Sequence, residues 1–285
     1  MEIIGIDVGY AYTKTSAGLS APSKFTLVEP LLGSSRAITA WGRKHYIGVG
    51  NACFEINKTN DELTRVLTLY SICASTKEDR VKIVTGLPVG QYKAQRDSLR
   101  SMLMDMTPVT ALYDDSIRAV VVEDAAIYPQ GLLPIVGDYI SVDIGGRTVE
   151  IIHVENNEVV FAKTLYDGMF MLYGKIADKI NATYATQLRD EFAERILTDG
   201  FFIDGVQQEI AFLTPILSEY VNAIVDEIKK STPCNITKVM LTGGGAHPLH
   251  AAFKKRMPNV RLVDNSQFSN ALMFRKVGLA KWQRA

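Results

Sequence analysis

Cysteine is scarce in this chain: only Cys53, Cys73 and Cys234 occur among 285 residues, far apart and without a CxxC pair. That spacing excludes a disulfide framework and a zinc-ribbon type of site, and leaves the three thiols as small apolar side chains in a reducing compartment. The four histidines, His45, His153, His247 and His250, form no HExxH or comparable cluster. No charge of one sign dominates, because 31 basic residues balance 31 acidic ones. A broad basic field for nucleic acid is therefore absent, and the short runs "FKKR" (253–256) and "DEIKKS" (226–231) read as solvated helix ends. No apolar run approaches the roughly 20 residues that a helical membrane span needs. The opening "MEIIGIDVG" lacks a charged and then apolar leader. These absences point to a cytoplasmic protein that contacts neither membrane nor DNA directly.

What is present is apolar periodicity broken by glycines. Hydrophobic residues make up 47% of the chain, enough for two compact α/β halves. Residues 3–8 carry Ile3, Ile4, Ile6 and Val8 and read as a buried strand ended by Gly9. Residues 24–39 and 44–49 read as a small antiparallel sheet punctuated at Gly33, Ser34 and Ser35. A helix is expected over 60–75, capped by Thr59 or Asn60, then a strand running into a Gly-Leu-Pro turn within 80–92. A helix from about residue 93 to 106 and a strand over 116–128 follow. The second half begins with a hairpin turning at Asn156 and Asn157. Residues 207–231 then read as one long amphipathic helix, which Pro215 either kinks or starts afresh with Thr214 as its cap. Residues 238–257 read as strand, glycine turn and helix.

Two stretches repeat one another. "IGIDVGYAYTK" (4–14) and "VDIGGRTVEII" (142–152) each run an apolar strand into Asp-x-Gly, with Asp7 and Asp143 136 residues apart. A glycine at such a strand end lets the backbone turn and brings bare N–H groups to an anion. In the first stretch Gly9, Tyr10, Ala11 and Tyr12 supply those N–H groups, and Lys14 on the returning strand can neutralise phosphate oxygens. Asp7 would hold Mg²⁺ through water, since that ion keeps most of its hydration shell. In the second, Gly145, Gly146, Arg147 and Thr148 face the other side of one phosphate chain, with Asp143 towards the metal and Glu150 further along. A third glycine turn, "TGGG" (242–245), opens a helix. The repetition implies an α/β fold of two duplicated halves with a nucleotide cleft between them, a first domain over 1–130 with an insertion at about 16–80, and a second over 131–285.

The three motifs in this order resemble phosphate-1, phosphate-2 and the adenosine motif of the actin-like ATPase superfamily, with its ribonuclease H-like duplicated fold. The resemblance covers essentially the whole chain. "VTGLPVGQY" (84–92), "IYPQG" (127–131) and "FSNALMF" (268–274) are similar to the ParM/StbA group of bacterial plasmid-segregation actins. Two departures stand out: Glu150 where the second motif often ends in Asp, and no glycine within "SNALMF". The resemblance implies ATP or GTP with Mg²⁺ as ligands, Gly243, Gly244 and Gly245 beneath the adenosine and α-phosphate, and a C-terminal helix returning to the first domain. It also implies a Gln or Glu that orients the attacking water. Gln130 in "YPQG" and Glu123 in "VEDAA" both qualify. Gln130 is favoured, because Pro129 fits poorly in a helix starting at Asp124. Asp143 completes the catalytic set.

On this resemblance the chain is a slow ATPase that polymerises with nucleotide and drives DNA partition. Its partners would be copies of itself and a small DNA-binding adaptor, ParR-like, at a centromere-like site. Loops around Asn156 and across 164–206 would build the subunit interface. Two alternatives share the fold: a small-molecule kinase, with Asp124 or Glu123 as its base, and a non-polymerising scaffold of cell division or pilus assembly.

Overall fold

A computed structural model of the chain describes residues 1–31, 36–52, 57–59 and 61–283. Cys53, Asn60 and the Gly33, Ser34, Ser35 punctuation lie outside these described residues. Two compact units result, one of Met1–Pro134 with Phe268–Ala285, the other of Ile135–Gln267.

The first unit opens with β1 (Glu2–Val8), β2 (Tyr12–Thr15), β3 (Ser20–Pro22), β4 (Lys24–Thr26), β5 (Ala37–Ala40) and β6 (Arg43–Ala52). Helix α1 (Glu62–Ser75), β7 (Arg80–Leu87), α2 (Val89–Asp105), β8 (Val109–Tyr113) and β9 (Ser116–Pro129) follow. The described strands form one sheet in the order β3-β2-β1-β7-β9-β8-β5-β6-β4. Strands β1, β7 and β9 run parallel at its centre. Every β1 residue from Ile3 to Val8 is buried, as a strand covered on both faces requires. Ile4, Ile6 and Val8 join the cluster that α1 and α2 supply through Leu63, Val66, Leu67, Leu99 and Leu103.

The opposite face of β1 meets the C-terminal helix. Three glycines admit it: a β-carbon on Gly5 would strike the Ala271 carbonyl, one on Gly86 the Phe274 ring, and one on Gly278 the Ile3 and Val84 side chains.

The second unit contains β10 (Tyr139–Ile144), β11 (Val149–Glu155), β12 (Glu158–Leu165), α3 (Met169–Tyr184) and α4 (Glu191–Asp199). It continues with β13 (Phe201–Ile203), β14 (Val206–Gln208), α5 (Thr214–Ser231), β15 (Val239–Thr242), α6 (Ala246–Arg256) and β16 (Val260–Leu262). Its sheet has the order β12-β11-β10-β15-β16. That order repeats β3-β2-β1-β7-β9 of the first unit, with antiparallel hairpins on one side and parallel neighbours on the other. The duplication read from two Asp-x-Gly stretches is thus a duplication of topology. The last helix, α7 (Ser269–Trp282), lies in the first unit.

Several local expectations are corrected. Helix α2 starts at Val89, four residues before the expected position, because Pro88 itself stands at the N-cap with φ −48°. Helix α1 is capped by Asp61, whose side chain accepts from Leu63 N at 3.0 Å. Of the two readings of 207–231, the fresh start at Pro215 holds and the single long helix does not: α5 begins at Thr214 with Leu213 at the cap, because residues 206–208 pair with β13 instead. Residues 164–206, expected as interface loops, are largely α3 and α4. The turn at Asn156 and Asn157 stands, both residues having positive φ (52° and 64°) as a two-residue hairpin turn requires.

Phe274 is fully buried. Replacing it by Ala is expected to cost about 3–5 kcal/mol of stability, read as a lowered urea midpoint. A loss under about 1 kcal/mol would show that α7 is not a core element of the first unit.

Candidate functional site

The two hairpins share one geometry. In the first, Asp7 pairs with Lys14 and Val8 with Thr13; in the second, Asp143 pairs with Glu150 and Ile144 with Val149. Four residues turn the chain in each case, 9–12 and 145–148. A β-carbon on Gly9 would come 2.7 Å from the Tyr12 carbonyl oxygen, and one on Gly145 would come 3.1 Å from that of Thr148. Glycine thus stands at the same place in both turns for closeness of backbone and not for positive φ, a β-carbon forcing a shift at Gly9 and fitting only tightly at Gly145.

In the first unit the site grows from the carboxyl ends of the parallel strands, the edge at which α/β sheets present their ligands. Asp7, 3% exposed at the end of β1, is held from two sides. Lys14 Nζ lies 3.4 Å from its Oδ2, and Gln130 Nε2 donates to its Oδ1 at 2.8 Å. A carboxylate only accepts, so this bond fixes the Gln130 amide with its NH₂ towards Asp7 and its carbonyl oxygen turned elsewhere. Gln130 is placed by its backbone as well: its N–H donates to the Leu87 carbonyl at 2.8 Å, just past the end of β9. Tyr10, Ala11 and Tyr12 are half-buried in the turn, where the Ala11 carbonyl accepts from Ser23 N at 2.8 Å.

Glu123 stands elsewhere. It occupies the irregularity in β9 where Val81 pairs with Val122 and Lys82 with Asp124, level with the start of β1. Seven residues of strand, about 23 Å, separate it from Gln130, and its carboxylate pairs with Arg80. Asp124 is also engaged: Arg100 Nη2 donates to it at 2.8 Å and Trp282 Nε1 at 3.0 Å. Burial raises its pKa, but those two donors outweigh burial and hold the carboxyl below the usual aspartate range. No helix starts at Asp124; the strand runs on to Pro129.

In the second unit Asp143 and Glu150 are both buried, 4% and 2% exposed, directly across the β10–β11 ladder. Thr148 Oγ1 donates to Glu150 Oε2 at 3.2 Å. The turn is braced by the start of α3: Met169 N donates to the Gly145 carbonyl at 3.0 Å and Phe170 N to that of Gly146 at 2.8 Å. Gly168 N donates to the Arg147 carbonyl at 3.0 Å. The Gly145 N–H is spent inside the hairpin on the Thr148 carbonyl at 2.9 Å. That N–H is therefore not open to a ligand.

The third glycine turn is likewise divided in role. Gly243 N donates to the Ser266 carbonyl at 3.0 Å and Gly245 N to the Ile144 carbonyl at 2.9 Å, so neither N–H faces outward. These two glycines allow contact: a β-carbon on Gly243 would strike Asp143 Oδ1, and one on Gly245 would meet Ile144 and Met169 at 2.5–2.8 Å. Gly244 alone is exposed, with open space around its α-carbon. In this way β15 carries a turn that closes over Asp143 and leads into α6.

One residue went unread in the sequence. Lys58, 4% exposed, reaches into the first hairpin, where its Nζ donates to the Val8 carbonyl at 2.6 Å. It sits in a stretch without periodicity or motif, so no pattern marked it. Gln91, also buried, donates to the Tyr10 hydroxyl at 3.3 Å. Among the described residues no group of three or more His, Cys, Asp or Glu is placed to hold a metal ion, and no helix is long and apolar enough to cross a membrane.

Comparison with known proteins matches residues 5–132 to the family of actin-like proteins, N-terminal domain, and residues 141–255 to the archaeal actin homologue, MreB-like, C-terminal family. No curated protein matches the sequence. Among solved structures, the ADP complex of Ta0583, an archaeal actin homologue, superimposes with a TM-score of 0.82 at 18% identity over 100% of both chains. A non-polymerisable quadruple mutant of pCBH ParM gives 0.77 at 20% identity, covering 98% of this chain and 100% of that one. The Alp12 filament structure gives 0.71 at 16% identity over 99% of both. At these identities the likeness is one of fold.

The glycine roles are separable by substitution. Gly243 has φ +86° and a β-carbon position inside Asp143 and Ile144, so Gly243→Ala is expected to cost about 2 kcal/mol or more. Gly244→Ala should stay within about 0.5 kcal/mol of the parent. Paired urea melts decide; equal costs would contradict the assignment.

Proposed function

Because this chain belongs to the actin-like proteins, we propose that it is a nucleotide-dependent ATPase that assembles into filaments, with copies of itself as its first partner. The observation that carries the reading is the Asp7–Gln130 hydrogen bond of 2.8 Å beside Lys14. It joins a strand-end acid, a cation and an orienting amide at the glycine turn of the first hairpin.

Each site residue then has a task. Backbone N–H groups of residues 9–12 and of the second turn take phosphate oxygens, and Lys14 offsets their charge. The carbonyl oxygen of Gln130, turned away from Asp7, accepts a hydrogen bond from the attacking water and aligns it with the terminal phosphorus. Gly244 and its neighbours lie beneath the adenosine. The residues suit hydrated Mg²⁺: Asp7 in the first unit, and Asp143 with Glu150 opposite it in the second, offer one or two carboxylates and not a cage, and this ion favours water and phosphate oxygens with one or two carboxylates. Mg²⁺ would supply charge neutralisation at the phosphates. Glu123, paired with Arg80 at the far end of the sheet, has no part in the step.

Filament assembly draws support from the fold-level likeness to ParM and Alp12. On the same footing we assign the chain to the cytoplasm and to partition of DNA through a small DNA-binding adaptor, which accords with 31 basic residues balancing 31 acidic ones. The kinase alternative gains no support from Asp124, whose carboxylate is committed to Arg100 and Trp282.

Light scattering of the purified chain should rise when ATP or GTP is added with Mg²⁺, and phosphate release should set in above a critical protein concentration without any acceptor. Scattering that stays flat with every nucleotide, or release that needs an added acceptor, would contradict the filament reading. Gln130→Ala should lower the hydrolysis rate about a hundredfold and leave nucleotide affinity within a few-fold; a rate loss in Glu123→Ala instead would reverse the assignment.

A further inference from the structure

The segment that follows β9 is laced to α7 at both of its ends. Gly131 N donates to Asn270 Oδ1 at 2.9 Å, and Lys276 Nζ donates to the Pro134 carbonyl at 2.8 Å. Gly131 is buried and has φ +85°, so the chain has left the strand there and turns. The ladder between β7 and β9 ends at Leu87 and Pro129, and a buried N–H beyond it needs an acceptor of its own. The first turn of α7 supplies that acceptor through Asn270.

This contact bears on Gln130 more than on the docking of α7. The helix is seated by other means: Gly5, Gly86 and Gly278 let it pack closely on β1 and β7, and Phe274 is fully buried. Gln130, by contrast, lies between two held peptides. Its own N–H donates to the Leu87 carbonyl at 2.8 Å, which fixes the plane before it, and the Gly131 N–H fixes the plane after it. Peptide groups are planar, so holding both planes sets the φ and ψ between them. With these the direction in which the Gln130 side chain leaves the backbone is also set, and it delivers the amide to Asp7 Oδ1 at 2.8 Å. Asn270 stands in "FSNALMF" (268–274), so this stretch joins the site through the backbone beside Gln130.

We propose that Asn270 is a positioning residue for hydrolysis, holding the peptide after Gln130 so that the Gln130 carbonyl oxygen meets the attacking water. The inference rests on the orienting role given to Gln130 above and adds a residue of α7 to it. A misplacement of about 1 Å in such an alignment costs up to about a hundredfold in rate. Nucleotide affinity comes from the glycine turns and Lys14, which Asn270 does not hold. Asn270 therefore acts on kcat and not on binding.

The test measures phosphate release at saturating ATP with Mg²⁺, ATP affinity and thermal melting. It compares the parent chain with Asn270→Ala, Asn270→Leu and Asn270→Asp, and repeats the Ala and Leu changes in a Gln130→Ala background. Asn270→Ala and Asn270→Leu should lower kcat about tenfold and leave ATP affinity within about twofold of the parent. Asn270→Asp, which keeps an acceptor oxygen, should restore kcat to within about threefold. In the Gln130→Ala background the same changes should cost almost nothing further, because both residues act through one amide. Parent-like kcat in the folded Ala and Leu variants, an Asp variant as slow as Leu, or an undiminished loss on top of Gln130→Ala would each overturn the proposal. Should Asn270→Ala fail to fold, the contrast of Asp with Leu decides. A Gln130→Ala variant that hydrolyses ATP at the parent rate would overturn the orienting role of Gln130 itself, and this inference with it.

Discussion

A carboxylate buried at the end of a parallel strand must be compensated, and the compensation of Asp7 organises the first unit. Lys14 approaches from the returning strand and Gln130 from the end of the third parallel strand. For both to reach it, β1, β7 and β9 must end at the same edge, and the chain must turn back within four residues after Val8. Gly9 permits that turn, and the glycines beneath α7 let the opposite face of β1 be covered closely enough to exclude water. Removing Asp7 would leave an ammonium and an amide without their acceptor, at a cost typical of buried unmatched groups.

The second unit solves the same geometric problem with different charges. The register is identical, but Asp143 lies opposite Glu150 where Asp7 lies opposite Lys14. The turn over Asp143 is completed from β15, with Gly243 pressed against the acid. Duplicated topology has thus been kept while the chemistry of the two hairpins diverged. One hairpin carries a cation opposite its acid, and the other carries a second acid there.

Much of this was legible in the sequence, for definite reasons. Strands β1 and β10 are mostly apolar because nearly every residue in them is buried, and the Asp-x-Gly stretches stand out because few side chains permit such a turn. The Asn156–Asn157 turn was legible because positive φ at two successive residues selects asparagine. Other features depend on partners distant in sequence. Residues 206–208 pair with a neighbouring strand that interrupts a helical pattern, and Pro88 starts a helix where glycine and proline read as an extended turn. The glycine triplet was read as one element beneath the adenosine, yet two of its N–H groups are taken by Ser266 and Ile144. Lys58 lay out of reach because its meaning comes from a hydrogen bond spanning fifty residues.

The central claim is that the two like-shaped glycine turns are both phosphate-binding elements. Calorimetric titration of ATP with Mg²⁺ into the parent chain, Gly9→Val and Gly145→Val tests it most directly. Each substitution places side-chain atoms against the carbonyl that closes its turn, Tyr12 in one and Thr148 in the other. The account predicts saturable binding to the parent and loss of binding in both variants, each still folded by circular dichroism. Undiminished binding in either folded variant would contradict it.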